Sequence, residues 1–231
     1  GGVAKCLRMQ GKCLYYIKRY DEAWMLMNQA LDIAIQIDSK KQIVACHKQL
    51  YYLCREFKRM MNERGDEQAS TLFFRESLLH EMYFSEKPRL AELTVRYEAL
   101  RCDIMQQYYM NKDYDNVIRI ATSLDIHDDA DPNASCLVYY YKAQAYVKLE
   151  NYPMAKEAFF RELELRKKYL GWEEEDTILA CQNLGVLHSF CNEREEALAC
   201  FREAYGYEVK KNGEDSEMAQ KLLQYISVVE S

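Results

Sequence analysis

Residues 143–161 read AQAYVKLENYPMAKEAFFR, and their pattern decides the fold. Ala143 is followed by Tyr146, Tyr152, Ala155 and Phe159. Two other stretches place the same residue types at corresponding offsets: Gly11, Tyr20, Ala23 and Ala30 near one end, and Gly185, Ala197, Phe201 and Ala204 near the other. Small residues recur in this way where two helices cross at close range, since a side chain larger than a methyl forces the axes apart. Such self-similarity marks a stack of helical hairpins, each of which buries its apolar face only against its neighbours. A stack offers surface that binds rather than a pocket that reacts.

Around these stretches nearly every segment has helical period. Over 21–37, Ala23, Leu26, Met27, Ala30, Leu31, Ala34 and Ile37 recur at spacings of three and four, which predicts an amphipathic helix opening on Asp21 as its N-cap. A partner helix is predicted over 5–17, with Leu7, Gly11, Leu14 and Tyr15 on the contact side and Lys18 and Arg19 in the turn. Pro88 breaks the run over 76–107, so two helices are expected to meet near Ser85. The chain has only 8 Gly and 3 Pro in 231 residues, as long helices with short loops require.

The quoted residues resemble the tetratricopeptide repeat family, whose unit of about 34 residues carries small residues at its eighth, twentieth and twenty-seventh positions with aromatics between. Two further units carry looser versions of the pattern, one around Leu53, Phe57, Ala69 and Phe73 and one around Met105, Tyr108, Tyr114 and Val117. Phe57 and Met105 stand where the family prefers Gly or Ala, so those hairpins are expected to be splayed or shifted in register. The resemblance implies an all-α, right-handed superhelical stack of about five hairpins, at roughly 4–38, 44–84, 89–124, 136–170 and 177–211, with a final helix at 216–230. It reads as one solenoid domain over 1–231, cut from a longer protein. The spacing from Ala155 to Ala197, with the echo of Gly171, Asp176, Thr177 and Ala180 in Gly213, Asp215, Ser216 and Ala219, is similar to the extended repeats of kinesin light chains. Residues 76–107 are similar to the long helix of some Bacteroidetes sensor regulators.

In the resembled family the first helix of each unit lines a concave groove. Carrying its positions across gives Lys5, Arg8, Lys12, Tyr15 and Tyr16; Cys54, Lys58 and Asn62; Cys102, Gln106 and Tyr109; Tyr140, Gln144 and Lys148; and Gln182, Ser189 and Phe190. Glutamine pairs with a peptide backbone through both donor and acceptor, and tyrosine supplies apolar area at little entropic cost. Lys5, Arg8, Lys12 and Lys58 add a positive end suited to an acidic segment. The ninth positions hold Lys12, Lys58, Gln106, Gln144 and Val186 rather than the successive Asn residues that clamp a chaperone carboxylate. The expected function is a non-catalytic scaffold or adaptor that binds a protein or peptide segment. The alternative is the peptide-sensing part of a bacterial regulator, its signalling domain lying elsewhere.

Composition narrows the field. The net charge of −6 hides an asymmetry: residues 1–60 hold 11 Lys and Arg against 5 Asp and Glu, so the rest is acidic. Only that first part could offer the basic stripe that nucleic acid needs. No apolar run approaches the length of a bilayer span. Nine cysteines without a C-x-x-C pair point to a reducing, cytoplasmic setting, with the bacterial periplasm as the alternative for a membrane-anchored sensor. His47, His80, His127 and His188 are scattered with no motif connecting them, so neither catalysis, nor a cofactor, nor a metal is expected. Asp125, His127, Asp129 and Asp131 imitate the start of a calcium loop, but Ala130 and Cys136 stand where it needs glycine and a carboxylate. Residues 68–107 are equally open to homodimerisation and to partner binding.

Overall fold

The computed structural model describes residues 2–85, 97–122, 131–172 and 174–231. Among them the chain is all-α, with helices α1 (Gly2–Tyr16), α2 (Tyr20–Gln36), α3 (Lys40–Arg64), α4 (Glu67–Glu81), α5 (Tyr97–Met110), α6 (Tyr114–Thr122), α7 (Pro132–Lys148), α8 (Tyr152–Tyr169), α9 (Glu175–Phe190), α10 (Arg194–Asn212) and α11 (Glu217–Glu230). They fall into two compact units, Gly1–Gln107 and Tyr108–Ser231. In the first, α1 packs on α2, α2 on α3, α3 on α4, and α1 also reaches α3; in the second, α6 to α11 each pack on the next. No helix among the described residues is long and apolar enough to cross a membrane.

One turn geometry recurs and shows that the loosened units obey the same plan. After α1, α5, α7 and α9 the second residue beyond the helix takes a left-handed conformation: Lys18, Lys112, Glu150 and Asn192, with φ between 57° and 63°. Each of these amides, and the one after it, bonds back to the last helical turn, as in Lys18 N to Tyr15 O at 3.0 Å and Arg19 N to Leu14 O at 2.9 Å. The same closure ends α3, where Gly65 at φ 75° supplies the left-handed residue without a Cβ penalty. Side chains then start several of the next helices: Asp66, Asp131, Asn151 and Ser216 each accept from the amide three residues on. At α2 the expectation fails, because the turn places Arg19 at the cap and Asp21 inside the first turn, where it meets the helix dipole instead. Pro88 of the expected junction and residues 125–130 of the imitation calcium loop lie outside the described residues.

Small residues sit where helices approach, but with unequal tolerance. A Cβ on Gly11 would lie 3.0 Å from the end of the flexible Met27 side chain and 3.3 Å from the Ala23 carbonyl oxygen, whereas one on Gly185 would lie closer, 2.8 Å from the Phe201 ring and 3.0 Å from Cys200 Cβ. Alanine at Gly11 should therefore change stability by less than about 0.5 kcal/mol, since the gain in helix propensity offsets a small shift of Met27. The same change at Gly185 should cost about 1–2 kcal/mol through overpacking against a rigid ring. Urea denaturation of the two variants checks this ordering, and equal effects would contradict it.

Candidate functional site

The first helices of the first two hairpins, α1 and α3, line a cleft in the first unit. Its cavity of about 330 Å³ is lined by Arg8, Lys12, Tyr15 and Tyr16 from α1 and by Lys48, Gln49 and Tyr52 from α3. A second cavity of about 430 Å³ shares Tyr15 and Tyr52 and adds Arg55, Glu56, Lys58, Arg59 and Asn62. The two form a continuous basic and aromatic track. Arg59 is held by Glu56 at 3.0 Å and Glu63 at 2.6 Å, whereas Lys12, Lys48 and Arg55 lie beside the rings of Tyr16, Phe84 and Tyr51. Lys58 Nζ sits 4.5 Å from the Phe74 centroid, and Arg8 donates to Gln42 at 3.3 Å. Tyr15 packs 5.6 Å from Tyr20, and burial raises its hydroxyl pKa, so it remains a neutral donor and acceptor.

In the second unit a more apolar cavity of about 250 Å³ opens between the first helices α7 and α9. Gln144, Asn183, Val186 and Phe190 line it, together with Tyr152 and Phe159 from α8. Phe190 is 66% exposed although it packs 5.1 Å from Tyr152, an arrangement that leaves one aromatic face to solvent. Tyr140 is hydrogen-bonded to Gln144, and burial raises the Tyr140 pKa.

The expected residues divide by helical position. Those at the ninth position, Lys12, Lys58, Gln144 and Val186, line cavities, and Gln106 is exposed. Those at the fifth position are largely drawn inward: Cys54, Cys102 and Gln182 are buried, Gln182 at 5% exposure, while Tyr140 and Arg8 are half-buried. The cause is geometric, because the fifth position lies three residues before the close-contact site and shares its face. Cys54, Cys102 and Gln182 thus belong to the interior rather than to an open groove. Lys5 is exposed outside the cavity linings, and Tyr109 packs on Tyr114 and Tyr141 at 5.6 and 5.8 Å.

Lys48, Tyr52 and Arg55 were not among the expected residues. Their spacing of four and three puts them on one face of α3 and could have revealed them, but α3 starts earlier than the repeat pattern implies and carries extra turns. The histidines also need correction. His47 and His80 share the α3–α4 hairpin, with their Nδ1 atoms 2.9 Å apart.

No protein-family model matches the chain, and no curated protein matches it in sequence. Solved structures do resemble it. BtubC (BKLC) from P. vanneervenii matches with a TM-score of 0.52 and 13% identity, over 91% of this chain and 82% of that one. The TPR2AB domain of yeast Sti1, solved as a complex with pHSP90, matches with a TM-score of 0.45 and 16% identity over 100% of both chains. Consecutively packed helices, a repeated hairpin turn and the likeness to BtubC together make this a tetratricopeptide-like helical-repeat fold.

Proposed function

We propose that the chain is a non-catalytic, peptide- or protein-binding module and that the α1–α3 cleft takes an extended acidic segment. The observation that carries this reading is the track of Arg8, Lys12, Lys48, Arg55 and Lys58 interleaved with Tyr15, Tyr16 and Tyr52. Its tyrosines offer rigid contact area, and its lysines offer point charges that steer an acidic ligand. Gln49 and Asn62 can satisfy a peptide backbone. The apolar cleft at Phe190 is a second contact surface of the same repeat array, read over 1–231. The free thiols of Cys46, Cys54, Cys102, Cys136 and Cys181, all buried, fit a reducing, cytoplasmic compartment.

The test uses dodecamer peptides selected from a random display library on the full chain, measured by fluorescence anisotropy. Selected peptides should be rich in Asp and Glu, and their affinity should fall as salt rises. Changing Lys12 and Lys48 together to Glu should weaken binding by about 10- to 100-fold, mostly through slower association and charge repulsion. Phe160→Ser, at an exposed position outside the cavity linings, should leave that affinity unchanged. Unaltered binding by the double variant would rule out the cleft.

A further inference from the structure

Glu76 follows Phe57 by the same nineteen residues that separate Gly11 from Ala30 and Gly185 from Ala204, so a buried acid stands where the pattern wants alanine. The fourth hairpin repeats the exception: Glu162 follows Ala143 by nineteen, and Arg166 four residues later donates to it at 2.8 Å. In the second hairpin the residue four later is His80, whose Nε2 lies 3.6 Å from Glu76 Oε1, with both side chains fully buried. A histidine is charged only when protonated, so it is a weaker partner for a buried carboxylate than arginine.

Cys54 joins Glu76 and His80 in a buried cluster of three metal-ligating side chains. One donor atom each from Cys54, Glu76 and His80 lies within 4.8 Å of the other two, and all three residues are buried. The hairpin brings them together because α3 and α4 run antiparallel: Phe57 stacks on Phe73 at 5.0 Å, and further along His47 stacks on Tyr83 at 3.7 Å. Cys54 falls between those layers on α3 and Glu76 between them on α4. His80 presents Nε2 toward the carboxylate and Nδ1 toward His47 Nδ1, 2.9 Å away. A metal-binding histidine uses its two nitrogens in this way, one on the ion and the other in an orienting hydrogen bond.

We propose that Cys54, Glu76 and His80 bind one divalent transition metal of the zinc class, with His47 as the residue that positions His80. Thiolate, imidazole and carboxylate are the donors such an ion takes. Bond lengths near 2.0–2.3 Å require donor separations of about 3.3–3.8 Å, so small rotamer changes close the set. The second carboxylate oxygen of Glu76 or a water supplies the fourth donor. Binding releases the Cys54 thiol proton to solvent, and the ion cross-links α4 to α3, the helix that lines the basic cleft.

The test is titration of the chelator-treated full chain, in a Cys6→Ser, Cys13→Ser background that removes the two exposed thiols, with zinc by calorimetry and cobalt by absorption. One equivalent should bind with Kd below about 1 μM, and cobalt should give a thiolate charge-transfer band. Cys54→Ser should abolish the band, and His47→Asn should keep it while weakening affinity by about 10- to 100-fold. Circular dichroism confirms that each variant is folded. If Cys54→Ser does not fold, X-ray absorption of the zinc-loaded parent should show one sulfur and two or more lighter donors. No stoichiometric binding, a band that survives in folded Cys54→Ser, or a shell with no sulfur or several sulfurs would overturn the proposal.

Discussion

Phe201→Ala should destabilise the second unit by about 3–5 kcal/mol, a large part of the stability an ordinary domain possesses. The Phe201 side chain is 1% exposed and fills the space left by Gly185 on α9. Its other face stacks on Tyr225 of α11, with centroids 5.1 Å apart and planes inclined at 24°. The ring therefore joins three helices, and its removal leaves a cavity that the Gly185 backbone cannot fill. The position of α11, anchored by the buried Ala219 and Leu222, should loosen with it. Urea denaturation measures the loss, and limited proteolysis should show cleavage near 213–217 before global unfolding. A double-mutant cycle adds a sharper criterion: in a Phe201→Leu background, Gly185→Ala should lose most of its cost because the rigid ring is gone. A loss under about 1 kcal/mol for Phe201→Ala would contradict this packing.

The second large effect depends on pH. Burial pushes the Glu162 carboxyl from its ordinary value up to about 7, with Arg166 opposing the rise through its charge and its hydrogen bond. Oε1 accepts from Arg166 Nε, while Oε2 has no hydrogen-bond partner among the described residues. Desolvation therefore outweighs the single ion pair. Asp176 also reaches Arg166, at 3.3 Å, and its negative charge adds a smaller contribution to the rise. Because the folded value lies above the unfolded one, the native state holds the proton more tightly between about pH 4.5 and 7. The resulting stabilisation is fully present below the unfolded value and is lost as pH rises through 7. Relative to Glu162→Gln, in which this titration is absent, the parent should lose about 3 kcal/mol between pH 4.5 and pH 8. Thermal melts of the two proteins across that range measure the difference. A difference independent of pH would show that Glu162 stays ionised in the folded chain.

Periodicity and small-residue offsets carried the fold far. Gly11, Ala23, Ala143, Ala155, Gly185 and Ala197 all fall at helix contacts and are buried. Phe57, out of pattern, is accommodated by an aromatic layer of Trp24, Tyr20 and Phe73 around it. The site was legible only in part. Lys12, Tyr15, Lys58 and Gln144 reached cavities because the ninth and twelfth positions turn away from the hairpin interior. Lys48, Tyr52 and Arg55 did not stand out, since the 25 residues of α3 extend beyond the repeat's own first helix. Glu76 and Glu162 were not singled out, because helical spacing alone does not say which polar residue a neighbouring helix will cover. Their common position became visible only when burial was known. The His47–His80 contact likewise needs the antiparallel register, which no motif encodes.

Photo-crosslinking gives the most direct measurement of where the chain binds. A benzoylphenylalanine placed at Tyr52, in the basic cleft, is compared with one at Phe160, which is 55% exposed and outside the cavity linings. With a display-selected acidic dodecamer present, the Tyr52 variant should crosslink to the peptide and lose that product when salt is raised. The Phe160 variant should give none. Crosslinking at Phe160 with none at Tyr52 would contradict binding through the α1–α3 cleft.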